Sequence, residues 1–442
     1  MTDIFTPLKF KNLEVKNRIF RSNISGRWDN YDGSGSDTRI NWERSFAEQG
    51  VGAIVSSFVP VAMRGRILPN YATIDKDERI DFWKRVGDVV HEHDCKFILQ
   101  LSHSGRQRDL GGVEAFDPDK IAFSSTNEAD PFHGIQCKAM TKSEIDMVVE
   151  QFAQGARRAK AAGLDGVELH GANGYLITQF LSSGINDRED EYGGSIENRA
   201  RFVTDIIHAI RQEVGNDFHL QMKINAFDYD NVINPFAKKG NTVEDTIELC
   251  KIIEQGTGGY DGADAFVISN GSLFPHPVNP PGDLPLEWAE RTYGAMMSSG
   301  DQTLRNYLFF KWKFLRPIFL WLWGLHKKGK PVEGVGLDGA RLIKQAMKVP
   351  VLSTGGYQNR SFMDEHLKNG DVDGFTIARS LVANRDLIAY FKDNKQPPKP
   401  CTYCNKCLVY APGVPIGCWE QDRFDSYDHM VETAYKVFEK RD

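Results

Sequence analysis

The amino terminus, MTDIFTPLKFKNLEVKNRIF, has neither the apolar h-region nor the small-residue cleavage site of a secretory leader, so a cytoplasmic protein is expected. Positive charge is not in surplus. The net charge of −6 excludes a molecule that binds nucleic acid over its whole surface. Long apolar runs are missing too. The most apolar segment, residues 304–330, is interrupted by Arg305, Lys311, Lys313 and Arg316, and Pro317 leaves only nine uncharged residues to Leu325, too few to span a bilayer. No strand leads into a GxGxxG helix start, so no separate dinucleotide-binding unit is predicted. Cysteine is scarce outside one place. Of seven, Cys95, Cys137 and Cys250 are scattered while Cys401, Cys404, Cys407 and Cys418 cluster. That distribution suits a reducing compartment and a metal or iron–sulfur centre better than a disulfide framework.

What is present is the composition of an ordinary soluble enzyme, 41% hydrophobic and 26% charged over 442 residues. The length allows one large α/β domain with extensions, or two domains. Short β-rich runs bounded by Gly, Asp or Asn recur at 19–24, 52–57, 96–102, 165–170, 218–224, 263–270, 349–356 and 372–379. Parallel strands buried on both faces read this way. Amphipathic stretches lie between them at 38–49, 78–93, 141–162, 196–214, 242–256, 337–348, 360–369 and 383–392, the third opening with a capping-box pattern from Thr141 to Glu144. Eight strands alternating with eight helices predict a TIM (β/α)8 barrel over residues 1–394. Three segments fall outside the repeat: a long connection at 103–140 that opens with HSGRQ, an insertion at 271–336, and a cysteine-rich C-terminal extension at 395–442 that closes with a helix, DHMVETAYKVFEK.

The chemistry is expected in residues 168–201, ELHGANGYLITQFLSSGINDREDEYGGSIENRAR. A strand ends there in a loop that gathers His170, Asn173 and Tyr175. Alternation puts Gly166, Glu168 and His170 on one face, so an inward-facing Glu168 places His170 at the top of the barrel. Two neutral donors converging on one oxygen polarise a carbonyl or hold a phenolate. A tyrosine, with an ordinary pKa of about 10, keeps its proton at neutral pH and can act as an acid. A purely structural use, with His170 and Asn173 satisfying backbone groups, is the alternative.

HGANGYLITQFLSS followed by DEYGGSIENRARF resembles the Old Yellow Enzyme family of FMN-dependent ene-reductases, and the likeness runs in order from PLKFKNLEVKNRI (7–19) to ARSLVANRDL (378–387). The resemblance implies that His170 and Asn173 bind the carbonyl of an electron-poor alkene and that Tyr175 protonates its α-carbon. It assigns Ser22, Asn23 and Ile24 to the backbone along the isoalloxazine ring, Ser25 to a potential-tuning place near flavin O4, and Gln100 to the pyrimidine edge. Lys223 stands where relatives carry a basic residue, usually Arg, beside N1 and O2; a fixed cation there stabilises anionic reduced flavin. Gly355, Gly356, Ala378 and Arg379, after the last two strands, match the phosphate site. EYGGSIENR, diagnostic as it is, reads as a turn at Gly193–Gly194, an N-cap at Ser195 and a helix.

The tail, C-x2-C-x2-C-x10-C, can offer four thiolates to one tetrahedral centre, and either Zn²⁺ or a [4Fe–4S] cluster fits that spacing. It resembles the cluster motif of 2,4-dienoyl-CoA reductase and trimethylamine dehydrogenase, whose last gap is slightly longer. Metal-free thiols are the third reading. Residues 304–330 are expected to form a hydrophobic lid, a subunit contact or a peripheral attachment to an anionic membrane. The function expected is transfer of hydride from NADH or NADPH, through FMN, to the C=C bond of an apolar α,β-unsaturated carbonyl or enoyl thioester, by a homo-oligomer. The alternatives are an FMN-dependent dehydrogenase or demethylase acting on an amine or alcohol, and a non-redox barrel or membrane-surface binding protein.

Overall fold

Eight short parallel strands close on themselves. In the computed structural model, which describes residues 2–440 apart from 109–120, 132–133, 229–238, 273–275, 294–307, 309–310, 328 and 412, they are β1 (Ile19–Arg21), β2 (Ala53–Val55), β3 (Lys96–Ser102), β4 (Gly166–Gly171), β5 (His219–Asn225), β6 (Ala265–Ser269), β7 (Val351–Thr354) and β8 (Gly374–Ile377). Each pairs with the next, and β8 returns to β1 with Phe375 opposite Ile19. The outer ring is α1 (Asp37–Ala47), α2 (Ile80–His91), α3 (Lys142–Ala161), α4 (Ile196–Val214), α5 (Val243–Gln255), α6 (Leu337–Ala346), α7 (Arg360–Lys368) and α8 (Leu387–Lys392). The TIM barrel is therefore the fold, with every expected strand present: β3 has the expected bounds, β4 and β5 are shifted by one residue, and the other five are shorter than expected.

Alternation along the strands sorts the core into two shells. Ile19, Ile54, Phe97, Leu99, Val167 and Leu169 point outward and pack with the helices. Phe20, Ala53, Ile98, Ala265, Val267 and Leu352 point inward and form a separate cluster with Leu8, Phe10, Leu13 and Val15. The last four belong to an antiparallel hairpin, Leu8–Lys9 with Glu14–Val15, that plugs the amino end of the barrel. Phe10 meets Phe20 edge to face at 6.1 Å. Burying a side chain of that size contributes roughly 1.5–3 kcal/mol. With one end plugged by apolar groups, polar side chains collect at the other.

The caps explain where helices begin. Thr141 and Glu144 form the reciprocal capping box at α3, and Ser195 accepts from the Asn198 amide at 3.3 Å to start α4. EYGGSIENR is thus a helix start, with Gly194 at φ +81° in the turn. The single helix expected at 383–392 is two: Arg379–Ala383 leaves β8 directly, and Asn384 is extended before α8 begins. The 103–140 connection holds an unforeseen parallel pair, Ala122–Ser124 with Cys137–Ala139. In the insertion, helix Arg316–Lys327 packs Phe319 against Leu284, Leu286, Ala289 and Val409. No helix among the described residues is long and apolar enough to cross a membrane. The final helix, Tyr427–Tyr435, leads to a turn whose Val437 and Glu439 carbonyls accept from the Asn41 side chain of α1 at 3.0 and 2.8 Å.

Candidate active site

Register sets the site. Gln100 on β3 lies opposite Glu168 on β4, and His170 lies opposite Lys223 on β5. All four are buried. The Glu168 carboxylate accepts from Gln100 Nε2 at 2.7 Å and from Gln221 Nε2 at 2.5 Å. Burial pushes its pKa up, and the nearby Lys223 pulls it back. Lys223 is itself lowered by burial against the pull of Glu168, and its ammonium donates to Asn23 Oδ1.

One layer above, β4 ends in the turn that carries the three expected catalytic groups. His170 is held well below its usual pKa by burial, with Lys223 adding to the effect, so the ring is neutral at physiological pH. Its Nδ1 accepts from the Ala172 amide at 3.4 Å, which puts the ring proton on Nε2. Asn173 and Gly174 take successive positive φ angles, 62° and 82°. A Cβ at Gly174 would come within 2.1 Å of the Ser272 carbonyl oxygen, so glycine lets the insertion close over the turn. Asn173 is fixed through its amide to Asn225 Oδ1 (3.3 Å) and through its carbonyl to Gln107 Nε2 (3.0 Å). Asn279 Nδ2 donates to Asn173 Oδ1 at 3.4 Å, leaving the Asn173 NH2 as the donor. The Tyr175 ring stands edge on to His170 at 4.8 Å and to Phe58 at 5.0 Å. Burial, supported by Tyr71 and Asp130, raises its phenol above the ordinary range.

The remaining expected residues surround this end of the barrel. Ser22 and Ile24 are buried after β1, the Ser22 amide reaching the Ile377 carbonyl at 2.9 Å. Ser25 Oγ accepts from the Phe58 amide at 3.4 Å. Gly355 and Gly356 follow β7, with Gly356 at φ +72°, and Ala378 follows β8. Arg379 is turned toward the two extensions: its Nη1 donates to the Pro281 carbonyl and to Asn405 Oδ1, and its guanidinium stacks 5.3 Å from the Tyr403 ring.

Cys401, Cys404, Cys407 and Cys418 share one neighbourhood, yet among the described residues no three Cys, His, Asp or Glu side chains stand where they could hold a metal ion. Burial raises the thiols of Cys401, Cys404 and Cys407 above their ordinary value. Cys418 Sγ is engaged by Arg423 at 3.0 Å, and Cys401 Sγ accepts the Tyr403 amide at 3.4 Å. As arranged, the four do not fit a zinc ion or a cluster.

The sequence profile of the NADH:flavin oxidoreductase / NADH oxidase family matches residues 3–260. The chain belongs to this family. It is 28% identical over 407 residues to an NADH oxidase of Thermoanaerobacter brockii, covering 91% of this chain and 53% of that protein. It is 36% identical over 279 residues to an NADPH dehydrogenase of Geobacillus sp. (strain WCH70), covering 62% and 74%. Among solved structures, a 2-naphthoyl-CoA reductase in complex with 2-naphthoyl-CoA superposes with a TM-score of 0.74 at 24% identity, over 94% of this chain and 56% of that one, a likeness of fold. The chain thus spans about half the length of the first and third of these proteins.

Membership implies FMN and NAD(P)H, and the residues fit the flavin. Gln100 Oε1 is a buried acceptor with no partner among the described residues, as a ring N–H would require. Lys223 is a buried cation whose hydrogen-bond partner is a neutral amide. The amides of Gly355, Gly356 and Arg379 have no partner among the described residues and can receive a phosphate. Sequence reasoning passed over several neighbours. Glu168 was placed on the inward face but given no role. Phe58, Tyr71, Asn225 and Asn279 carry no local signal at all. GVGLDG, residues 334–339, was legible: the Gly334 amide donates to the Gly355 carbonyl at 2.7 Å, and a Cβ at Gly336 would meet the Thr354 carbonyl oxygen at 2.5 Å.

Proposed function

We propose that this protein is an FMN-dependent oxidoreductase that uses NADH or NADPH to reduce the C=C bond of an α,β-unsaturated carbonyl compound, ketone or enoyl thioester. The observation that supports it best is the neutral donor set at the end of β4: His170 Nε2, the Asn173 NH2 and the Tyr175 hydroxyl. Three neutral donors suit a carbonyl or phenolate oxygen, not the ammonium of an amine substrate. When bound, FMN supplies the hydride chemistry, accepting from NAD(P)H and delivering from N5. His170 and Asn173 hold the carbonyl oxygen and draw electron density from the β-carbon. Tyr175 gives its Oη proton to the α-carbon. Lys223 offers a buried positive charge beneath the site, and Gln100, braced by Glu168, presents an acceptor.

Anaerobic stopped-flow spectroscopy tests this. The flavin absorbance should bleach with NADH or NADPH and return on mixing with an enone such as 2-cyclohexenone. Bleaching by sarcosine or dimethylglycine, with no response to the enone, would establish the amine-oxidising alternative instead. A purified protein with no flavin absorbance would end both readings.

A further inference from the structure

Helix Arg316–Lys327 has two apolar faces. One carries Phe319 and Trp323 and packs into the insertion. Arg316 on the same side pairs with Glu290, and Lys327 with Asp283 at 2.9 Å. The opposite face, one helical stripe at i, i+3, i+4 and i+7, is Ile318, Trp321, Leu322 and Leu325, which are 56, 63, 44 and 50% exposed. Just before it, Trp312 and Phe314 are 50 and 71% exposed, with Lys311 and Lys313 interleaved and also exposed. Eight of the fourteen large hydrophobic side chains exposed among the described residues fall between Leu308 and Leu325. Soluble surfaces scatter such side chains singly; a contiguous cluster marks a contact.

Charge decides what covers it. Residues 304–330 carry seven Lys or Arg and no acid. A chain at −6 with +7 in these 27 residues leaves −13 on the remainder. A second copy would bring a predominantly acidic body and an identical basic patch, and a twofold contact would set basic patch against basic patch. An anionic bilayer surface instead meets both features, taking tryptophan and leucine into the headgroup boundary while lysines stay with the phosphates.

We propose that the exposed face of residues 311–325 docks this protein on an anionic lipid surface. It does so from the active-site side, because the same insertion contacts the β4 turn through Ser272 and Asn279. The inference stands apart from the reaction proposed above.

The test is co-sedimentation of the purified, flavin-loaded full chain with sucrose-loaded vesicles of phosphatidylcholine alone, or with an equal part of phosphatidylglycerol. Binding is expected to the mixed vesicles, weakening as salt rises. The double variant Trp321→Glu, Leu325→Glu should lose roughly tenfold or more of that partition. Lys311→Gln with Lys313→Gln should lose on the order of fivefold per lysine. All these side chains are exposed, so circular dichroism and flavin content should match the parent. Failure of the parent to sediment with mixed vesicles, equal sedimentation with neutral ones, or parent-like binding by the Trp321/Leu325 variant would each overturn the proposal. So would light scattering that shows a dimer abolished by that variant, which would assign the face to a second copy.

Discussion

Replacing Tyr175 by phenylalanine removes one hydroxyl and little else. The ring keeps its edge-to-face contacts with His170 at 4.8 Å and Phe58 at 5.0 Å. The hydroxyl has no hydrogen-bond partner among the described residues, so no buried group is orphaned and thermal stability should hardly move. The proton it gives is a different matter. A positioned acid contributes roughly 10²–10⁴ in rate, or about 3–5 kcal/mol of barrier. Anaerobic stopped-flow separates the two half-reactions. Flavin reduction by NAD(P)H should stay within about twofold of the parent, because no proton from Tyr175 enters it, while reoxidation by an enone should slow by the factor above. The pH profile gives a second reading: burial raises the phenol, so the parent's reoxidation rate should not decline as pH passes the ordinary tyrosine value of about 10. Equal loss in both half-reactions, or an unaltered enone rate, would refute the role given to Tyr175.

Removing the His170 side chain with His170→Ala should weaken phenolate ligands, followed by their flavin perturbation spectra, by roughly 10–100-fold, the worth of a hydrogen bond to a charged oxygen. Lys223→Met should lower the flavin midpoint potential, because the assignment puts a buried, poorly screened ammonium beside N1 and O2; spectroelectrochemistry that finds no shift would disprove that assignment. Gly174→Ala forces a side chain into φ +82° and onto the Ser272 carbonyl, so the melting temperature should fall by an amount equivalent to at least about 1–2 kcal/mol. Acid should destabilise the fold through His103, whose pKa burial pushes down to about 3. The unfolded chain binds this proton below about pH 6.5 and the native state does not, so stability falls as pH drops, by about 1.4 kcal/mol per unit from this group. His103→Gln should flatten that part of the urea-midpoint profile.

Strand positions were legible because each run is short, apolar and bounded by Gly, Asp or Asn, and burial on both faces enforces that pattern. Of the inward-facing polar residues, Glu168 and His170 were legible from alternation along their strand, whereas Gln100 and Lys223 were reached only through the family resemblance; all four are buried. What holds the site's groups was not legible. Asn225 and Asn279 meet Asn173 from 52 and 106 residues away, and nothing local in either segment reports it. The cysteine motif was legible only as a spacing. Spacing limits which sulfurs can converge, while the loop's own hydrogen bonds set how they stand: Arg423 donates to Cys418 Sγ and the Tyr403 amide to Cys401 Sγ.

The tail is nonetheless part of the site's architecture. Tyr403 and Asn405 both adopt positive φ, 57° and 59°, which turns the cysteine loop back on the barrel. The Tyr403 hydroxyl then donates to the Gly356 carbonyl while its ring lies against Arg379, and Asn405 bridges Arg379 to the Asp283 carbonyl at 2.9 Å. Gly282 permits this approach, since a Cβ there would sit 2.1 Å from the Tyr403 carbonyl oxygen. Four segments far apart in sequence therefore meet at one guanidinium: the ends of β7 and β8, the insertion and the tail. Truncation after Asn394 would remove Asn405 and Tyr403 together and release Arg379 at the end of the barrel assigned to the phosphate. The consequence is expected in cofactor retention first, read as flavin absorbance per protein after gel filtration. The hydride chemistry of the molecules that keep their flavin should change far less, because His170, Asn173 and Tyr175 lie on β4 and the turn after it, and Asn173 is held by Asn225 and Gln107 rather than by the tail.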